Sequence, residues 1–352
     1  MKAWAVVECG QPLQELEWPT PEPQGDEVLL EVTHAGVCHS DLHIWEGEYD
    51  LGTRGKLRMQ DRGLKLPLAM GHEIVGRVVK WGPGAEGKVQ AGQQRLVFPW
   101  VGCGSCARCR ADEENMCAVR PRALGVYQNG GYATHVLATH WKHLVAIDGL
   151  DPALAATYAC SGVTVYSAIA KLMPMEADEW IVVIGAGGLG LNAIAILKAL
   201  GHRAICAVDL DQGKLDAAMA QGATATVLAG GDTGAHIIQA CGGPVMGVID
   251  LVNGSKTAAG AFDALGKGGR LIQVGLFGGE MRVPLPLMPI KAITIQGSYV
   301  GSLKELHALV DLAQQGKVPA IPIEHERFEN ADAALNRLRH GKVTGRIILT
   351  AA

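Results

Sequence analysis

Through the first half of the chain, short apolar runs such as 28–32 and 74–79 are separated by Gly, Pro and Asp, which predicts a β-rich region. From about residue 152 the texture changes. β-Branched apolar runs now alternate with Ala- and Leu-rich stretches of helical period, the pattern of βαβ units on a parallel sheet. The runs place strands at 180–184, 204–208, 225–228, 247–251, 270–274 and 293–296. Amphipathic helices follow at 302–315 and 331–339, then a last strand at 346–350. Residues 45–69 are charged, glycine-punctuated and without period, which predicts a long surface loop serving as a lid or a subunit contact. The stretch 181–197 holds seventeen uncharged residues, but its glycines at 185, 187, 188 and 190 mark a buried strand–turn–helix rather than a membrane span.

At 352 residues the chain is long enough for two domains. Its 31 basic and 35 acidic residues give a net charge of −4, with no cationic stripe for a phosphate backbone, so nucleic acid is not an expected partner. The opening MKAWAVVECG lacks the apolar core of a secretory signal, so the expected location is the cytoplasm, with no membrane partner. Nine cysteines there point to metal or redox chemistry before disulfides.

Gly185-Ala186-Gly187-Gly188-Leu189-Gly190 fits G-x-G-x-x-G, follows an apolar strand and opens a helix. Gly185 permits the tight turn, Gly187 lets a pyrophosphate approach the backbone, and Gly190 lets helix and strand pack closely. Asp209 ends the next strand nineteen residues after Gly190. Its carboxylate can accept from ribose hydroxyls and would repel a 2′-phosphate, so NAD is favoured over NADP. The competing reading is a plain glycine turn in a flavodoxin-like sheet.

Cys103, Cys106, Cys109 and Cys117 are spaced C-x2-C-x2-C-x7-C in a Gly/Ser/Arg-rich lobe. Four thiolates at this spacing wrap one tetrahedral Zn²⁺ and leave no position open, so this site would order the lobe. An iron–sulfur cluster competes, but its bacterial spacing ends in a shorter gap followed by Pro. Cys9, Cys206 and Cys241 read as small buried hydrophobes.

The octapeptide GVCHSDLH, residues 36–43, gathers a thiol, two imidazoles, a hydroxyl and a carboxylate in what reads as a loop. Further on lie Gly-His72-Glu73 and Ala-Cys160-Ser-Gly-Val-Thr164. Cys38, His72 and Cys160 would make a three-ligand zinc site with a fourth position free, although gaps this long cannot establish it by spacing.

With GVCHSD, GHE, the four-cysteine lobe, CSGVT and GAGGLG in this order, the chain resembles the zinc-dependent alcohol dehydrogenases of the medium-chain dehydrogenase/reductase superfamily. The resemblance implies an α/β protein. A GroES-like, β-rich catalytic domain would span 1–152 and be completed by 297–352, with a Rossmann doubly wound domain at 153–296. It implies two zinc ions per chain and NAD, with the catalytic zinc on Cys38, His72 and Cys160 and Glu73 as an occasional ligand. Asp41 would orient His72. Ser40 would take the alcohol proton and pass it through the nicotinamide ribose to His43. His39 stands where many relatives carry a pyrophosphate-binding Arg. Thr164 would pack on the nicotinamide, and Gly188, Leu189, Lys214, Val274 and Arg346 would make further cofactor contacts.

Trp100 matches a pocket-lining position, and Leu276, Leu287 and the small Ala123 are candidate further walls. The expected substrate is then a hydrophobic alcohol, medium-chain, cyclic or aromatic, exchanged with its aldehyde or ketone. A hydroxyacyl-CoA or cyclic-alcohol dehydrogenase of a catabolic pathway is the alternative on the same fold. A non-catalytic NAD-binding relative is disfavoured because such relatives typically lose zinc ligands. The strand at 293–296 would be an exposed sheet edge that pairs across a two-fold axis in a homodimer or homotetramer.

Overall fold

In the computed structural model, which describes residues 1–351, the first apolar run grows into the strand Val28–Val37. It is the spine of a seven-stranded sheet ordered Leu144–Ala146, Gln94–Val97, Glu73–Trp81, Val28–Val37, Arg346–Thr350 and Ile323–Arg327; His135–Ala138 also pairs with the spine. Ile347 to Thr350 lie antiparallel to Val37 to His34, so the end of the chain completes the sheet that its beginning starts. The end of the spine carries Gly36 and Val37 up to Cys38, and Glu73 opens the strand beside it.

A second sheet has six parallel strands in the order Ala225–Leu228, Ile205–Asp209, Ile181–Ile184, Val245–Asp250, Leu265–Gln273 and Thr294–Gly297. These coincide within a few residues with the predicted strands. Ile181–Ile184 is buried throughout, as a central parallel strand covered on both faces must be, which is why it reads as an unbroken apolar run. The strand order reverses between Ile181–Ile184 and Val245–Asp250, opening a crevice at their carboxyl ends. The helices at 302–315 and 331–339 form as Leu303–Gln314 and Ala331–Arg339. Ser302 Oγ accepts from the Glu305 N–H at 3.3 Å, and the Glu305 carboxylate accepts from the Ser302 N–H at 2.7 Å, a reciprocal cap.

Two segments differ from expectation. GVCHSDLH is not a loop: Cys38 caps the helix His39–Glu46, and Asp41, in its first turn, accepts the Cys38 N–H at 2.9 Å. The stretch 45–69 carries a two-stranded hairpin, Glu48–Asp50 with Lys56–Arg58, anchored by Met59 and Leu64, which are 1% and 5% exposed. Three-residue strands are too short to show a period. The stretch Pro152–Leu172 is long and apolar enough to cross a membrane, and 83% of its window is buried inside the fold.

Candidate active site

Cys38, His72 and Cys160 come from three separate parts of the chain and meet with their ligand atoms all within 4.8 Å of one another, each residue buried. Cys38 caps its helix, His72 precedes the strand Glu73–Trp81, and Cys160 sits in a π-helical turn, Tyr158–Gly162, between Pro152–Thr157 and Val163–Leu172. Such turns cluster at functional sites because one extra residue per turn redirects a side chain.

The two sulfurs lie 4.0 Å apart. Tetrahedral zinc with Zn–S bonds of ~2.3 Å separates its sulfurs by about 3.8 Å, so the pair fits. His72 Nδ1 lies 3.1 Å from Asp41 Oδ1, and its Nε2 is buried with no hydrogen-bond partner in the protein, which suits a metal-ligating nitrogen. Asp41 is itself held by the Tyr132 hydroxyl at 3.0 Å and the Gly71 N–H at 3.3 Å. The hydrogen bond from Cys160 holds the Cys38 thiol well below its ordinary value against burial, with the Arg346 and His72 cations adding to it. The same hydrogen bond and burial push Cys160 up. Glu73 lies beneath: Arg346 pairs with it and the Ser161 N–H donates to it at 3.0 Å.

The four-cysteine lobe closes as its spacing predicts. Sulfur separations are 3.9 Å for Cys103 with Cys109, 3.5 Å for Cys106 with Cys109 and 3.9 Å for Cys106 with Cys117. Backbone N–H groups of Cys103 and Cys106 donate to thiol sulfurs at 3.3 Å, the contacts that stabilise thiolates. The Ser105 backbone and hydroxyl bring Cys103 down to about 5, and burial pushes Cys109 up to about 12. Glu114, which sequence reasoning passed over, anchors the lobe: it accepts the Gly102 N–H at 3.1 Å and pairs with Lys142 and His143.

A cleft of about 410 Å³ joins the three-ligand cluster to the crevice of the parallel sheet. Its walls include Gly185, Gly187, Gly188, Leu189, Gly190 and Asp209, and also Lys214, Val274, Arg346 and Thr164. Gly185 has φ of 97°, and a Cβ on Gly190 would collide with the Gly185 carbonyl, so both positions demand glycine. A Cβ on Gly187 would meet no protein atom within 4 Å and would occupy the cleft instead. Asp209 accepts the Ala186 N–H at 2.7 Å and the Asp211 N–H at 3.1 Å, one on each oxygen, leaving further lone pairs on a fixed carboxylate. Thr164 Oγ1 and Ser298 Oγ are buried without partners and belong to residues that line the same cleft. These donors and acceptors suit a dinucleotide. Ser298 carries no sequence signal beyond following the last strand.

His39, Ser40 and His43 line this cleft beside Cys38. The His43 ring lies 5.1 Å from that of Tyr49, and burial lowers its pKa while Glu46 raises it. Trp100 and Leu276 line the cleft too; the Trp100 indole N–H donates to the Ala159 carbonyl at 2.9 Å, which fixes its ring 5.3 Å from that of His72. Ala123 and Leu287 do not line it. Ala123 is buried in a turn whose later residue Val126 reaches the cleft in its place, and Leu287 packs on the core of the parallel sheet. Tyr49 and Tyr299 are walls that sequence reasoning missed, because their elements are too short or irregular to show which way a side chain faces. They continue into an outer chamber of about 490 Å³ between the 48–58 hairpin and the 275–281 loop, whose charged residues are Asp50, Arg62 and Glu280.

Residues 24–149 match the alcohol dehydrogenase GroES-like domain, and residues 188–315 match the zinc-binding dehydrogenase family. An NAD-dependent alcohol dehydrogenase of Sulfurisphaera tokodaii is 37% identical over 353 residues, covering 99% of each chain. The alcohol dehydrogenase of Aeropyrum pernix superposes with a TM-score of 0.90 at 30% identity, covering 99% of this chain and all of that one. Acetophenone reductase of Geotrichum candidum, solved with NAD, superposes with a TM-score of 0.86 at 28% identity over 99% and 96% of the two chains.

Proposed function

We propose, from the premise that this chain belongs to the zinc-type alcohol dehydrogenases of the medium-chain dehydrogenase/reductase superfamily, that it exchanges hydride between a hydrophobic alcohol and NAD. It is an NAD-dependent oxidoreductase of alcohols. The observation that carries this is one cleft walled by both Cys38 and Cys160 of the three-ligand cluster and the Gly185–Gly190 turn. When bound, zinc supplies Lewis acidity and NAD supplies the hydride acceptor.

The chain's own residues do the rest. Asp41 lies against His72 Nδ1, which would leave Nε2 to ligate the metal. Trp100, fixed by Ala159, walls off water beside it. Ser40 and His43 offer a route by which the alcohol proton leaves toward solvent, His43 being the half-buried, outer member. Burial lowers the pKa of His43, so at pH 7 it is neutral and able to accept a proton; that capacity is lost as pH falls through its lowered value. His43→Gln is expected to slow alcohol oxidation about tenfold near pH 7 and much less at alkaline pH, where hydroxide takes the proton. A pH–rate profile with an equal loss at every pH would remove His43 from the relay.

Asp209, pinned by two backbone N–H groups, faces the adenosine side. NAD is expected to exceed NADP by at least about tenfold in kcat/KM, roughly 1.4 kcal/mol, and Asp209→Gly should narrow that ratio. Steady-state kinetics with both cofactors decide it; equal use by the wild type refutes the assignment.

The substrate reading rests on Trp100, Val126, Leu276, Tyr49 and Tyr299, which present rings and aliphatic surface, with the charges of Asp50, Arg62 and Glu280 set back in the outer chamber. Buried methylenes contribute about 0.8 kcal/mol each, so kcat/KM should rise several-fold per carbon from ethanol until the pocket is full. NAD reduction across a panel should rank benzyl, cyclic or medium-chain secondary alcohols above ethanol and sorbitol. Ethanol, a sugar alcohol or a CoA thioester in first place would overturn this reading.

The domain division at 152 and 297 is supported by the first sheet, which takes its strands from both ends of the chain. Homodimer or homotetramer assembly is supported by the position of Thr294–Gly297 as the sheet's edge, near the exposed Leu285 and Ile290. Sedimentation as a monomer at micromolar concentration would exclude it. A cytoplasmic location is supported by nine free cysteines and is open to cell fractionation.

A further inference from the structure

The helix Gly188–Ala199, which begins at the dinucleotide turn, is tied to the metal-ligand segments at two points one turn apart. A Cβ on Gly188 would collide with the Arg346 side chain, and Arg346 pairs with Glu73. Four residues on, Asn192, 1% exposed, donates from Nδ2 to Ser161 Oγ at 2.7 Å and to Thr157 Oγ1 at 3.4 Å. The Ser161 N–H donates to Glu73 Oε1 at 3.0 Å, and Ser161 Oγ donates to the Thr157 carbonyl at 2.9 Å. Residues i and i+4 share a helix face, so both ties leave the same side of the helix. They close a ring from helix to Arg346, Glu73, Ser161, Asn192 and back. The two ring members Glu73 and Ser161 directly follow the ligand residues His72 and Cys160 in the chain.

We infer that Asn192 is a positioning residue: it holds the π-helical turn, and with it Cys160, at a fixed offset from the helix that faces the NAD pyrophosphate. The inference rests on the reading of the chain as an NAD-dependent alcohol oxidoreductase. Two observations carry it. Asn192 Oδ1 is buried with no partner, so the amide costs stability that a leucine of similar volume would avoid, and what it returns is the Nδ2 contact. The turn it holds departs from α-helical hydrogen bonding and lies where the two halves of the site meet, so side-chain ties set its place. Hydride transfer is sensitive to that offset, since a displacement of ~1 Å can cost ~100-fold in rate.

The test uses the full-length enzyme and the variants Asn192→Leu, Asn192→Ala and Ser161→Ala, the last breaking the same bond from the other side should the first two fail to fold. With cobalt in the three-ligand site, the visible absorption bands should shift in each variant, and loss of the ion to a chelator should quicken about tenfold. Neither readout needs substrate. The kcat should fall about tenfold, with a larger primary deuterium isotope effect on the alcohol and little change in KM for NAD. Asn192→Ala combined with Ser161→Ala should be no worse than either alone. Variants that melt earlier but keep the wild-type cobalt spectrum, chelation rate and kcat would overturn the inference, as would additive effects in the double variant. A shifted cobalt spectrum in a protein whose wild type turns over no alcohol would uphold the positioning role and sink the functional reading.

Discussion

Cys160→Ala is expected to lower alcohol oxidation by roughly 1,000-fold or more and to leave one zinc per chain where the wild type holds two. Alanine is chosen because a serine oxygen could still coordinate. Cys160 Sγ is one of three atoms within 4.8 Å of each other, and its removal leaves only Cys38 and His72 to hold the ion. The four-thiol lobe shares none of these residues and is anchored separately through Glu114, so its ion should stay. The same asymmetry orders the wild type under graded chelation: the site with three protein ligands empties first, and activity falls with it. Metal analysis beside turnover gives the answer. Two zincs retained in the variant, or activity lost from wild type while both remain, would mean that the reacting centre lies elsewhere.

The largest stability effect should come from Glu73→Gln, at about 3 kcal/mol, equivalent to roughly 4 °C in Tm for a chain of this length. Glu73 and Arg346 are buried side by side, their side chains 0% and 4% exposed. Burial, the first cause, raises the pKa of Glu73 while Arg346 opposes it, so the carboxylate is not itself a net source of stability at neutral pH. The loss arises because glutamine removes the nearest counter-charge of the buried Arg346 guanidinium and leaves it only the more weakly acting Cys38 and Cys160 sulfurs. Replacing both partners, Glu73→Gln with Arg346→Met, should therefore melt closer to the wild type than the sum of the single changes allows. Thermal unfolding of the four proteins tests this, and strict additivity would show that the pair is not coupled.

Much of this molecule was legible because its causes are local. The parallel strands read as apolar runs since burial on both faces leaves no room for polar alternation, as at Ile181–Ile184. The Gly185–Gly190 turn and the four cysteines within fifteen residues carry their geometry in their spacing. The Ser302–Glu305 cap is likewise settled within one helical turn. Asp41 and His72 are thirty-one residues apart, and their contact was expected from family likeness rather than from any period in the chain.

What the tertiary structure alone decided lies where distant segments pack together. Cys38 and Cys160 stand 122 residues apart, and only the docking of a helix cap against a π-helical turn brings their sulfurs to 4.0 Å. The exclusion of Ala123 and Leu287 from the cleft, and the inclusion of Tyr49, Ser298 and Tyr299, follow from turns and three-residue strands whose side-chain directions no periodicity encodes. Asn192 sits in a stretch that reads as uniform core, and its tie to Ser161 exists because the dinucleotide helix happens to face that turn. Local sequence determines which residues can bind metal and phosphate, since that depends on side-chain chemistry and turn geometry. Which of them share one cleft is set by the packing of elements far apart in the chain, because contacts that close long loops are favourable only once the surrounding core has formed.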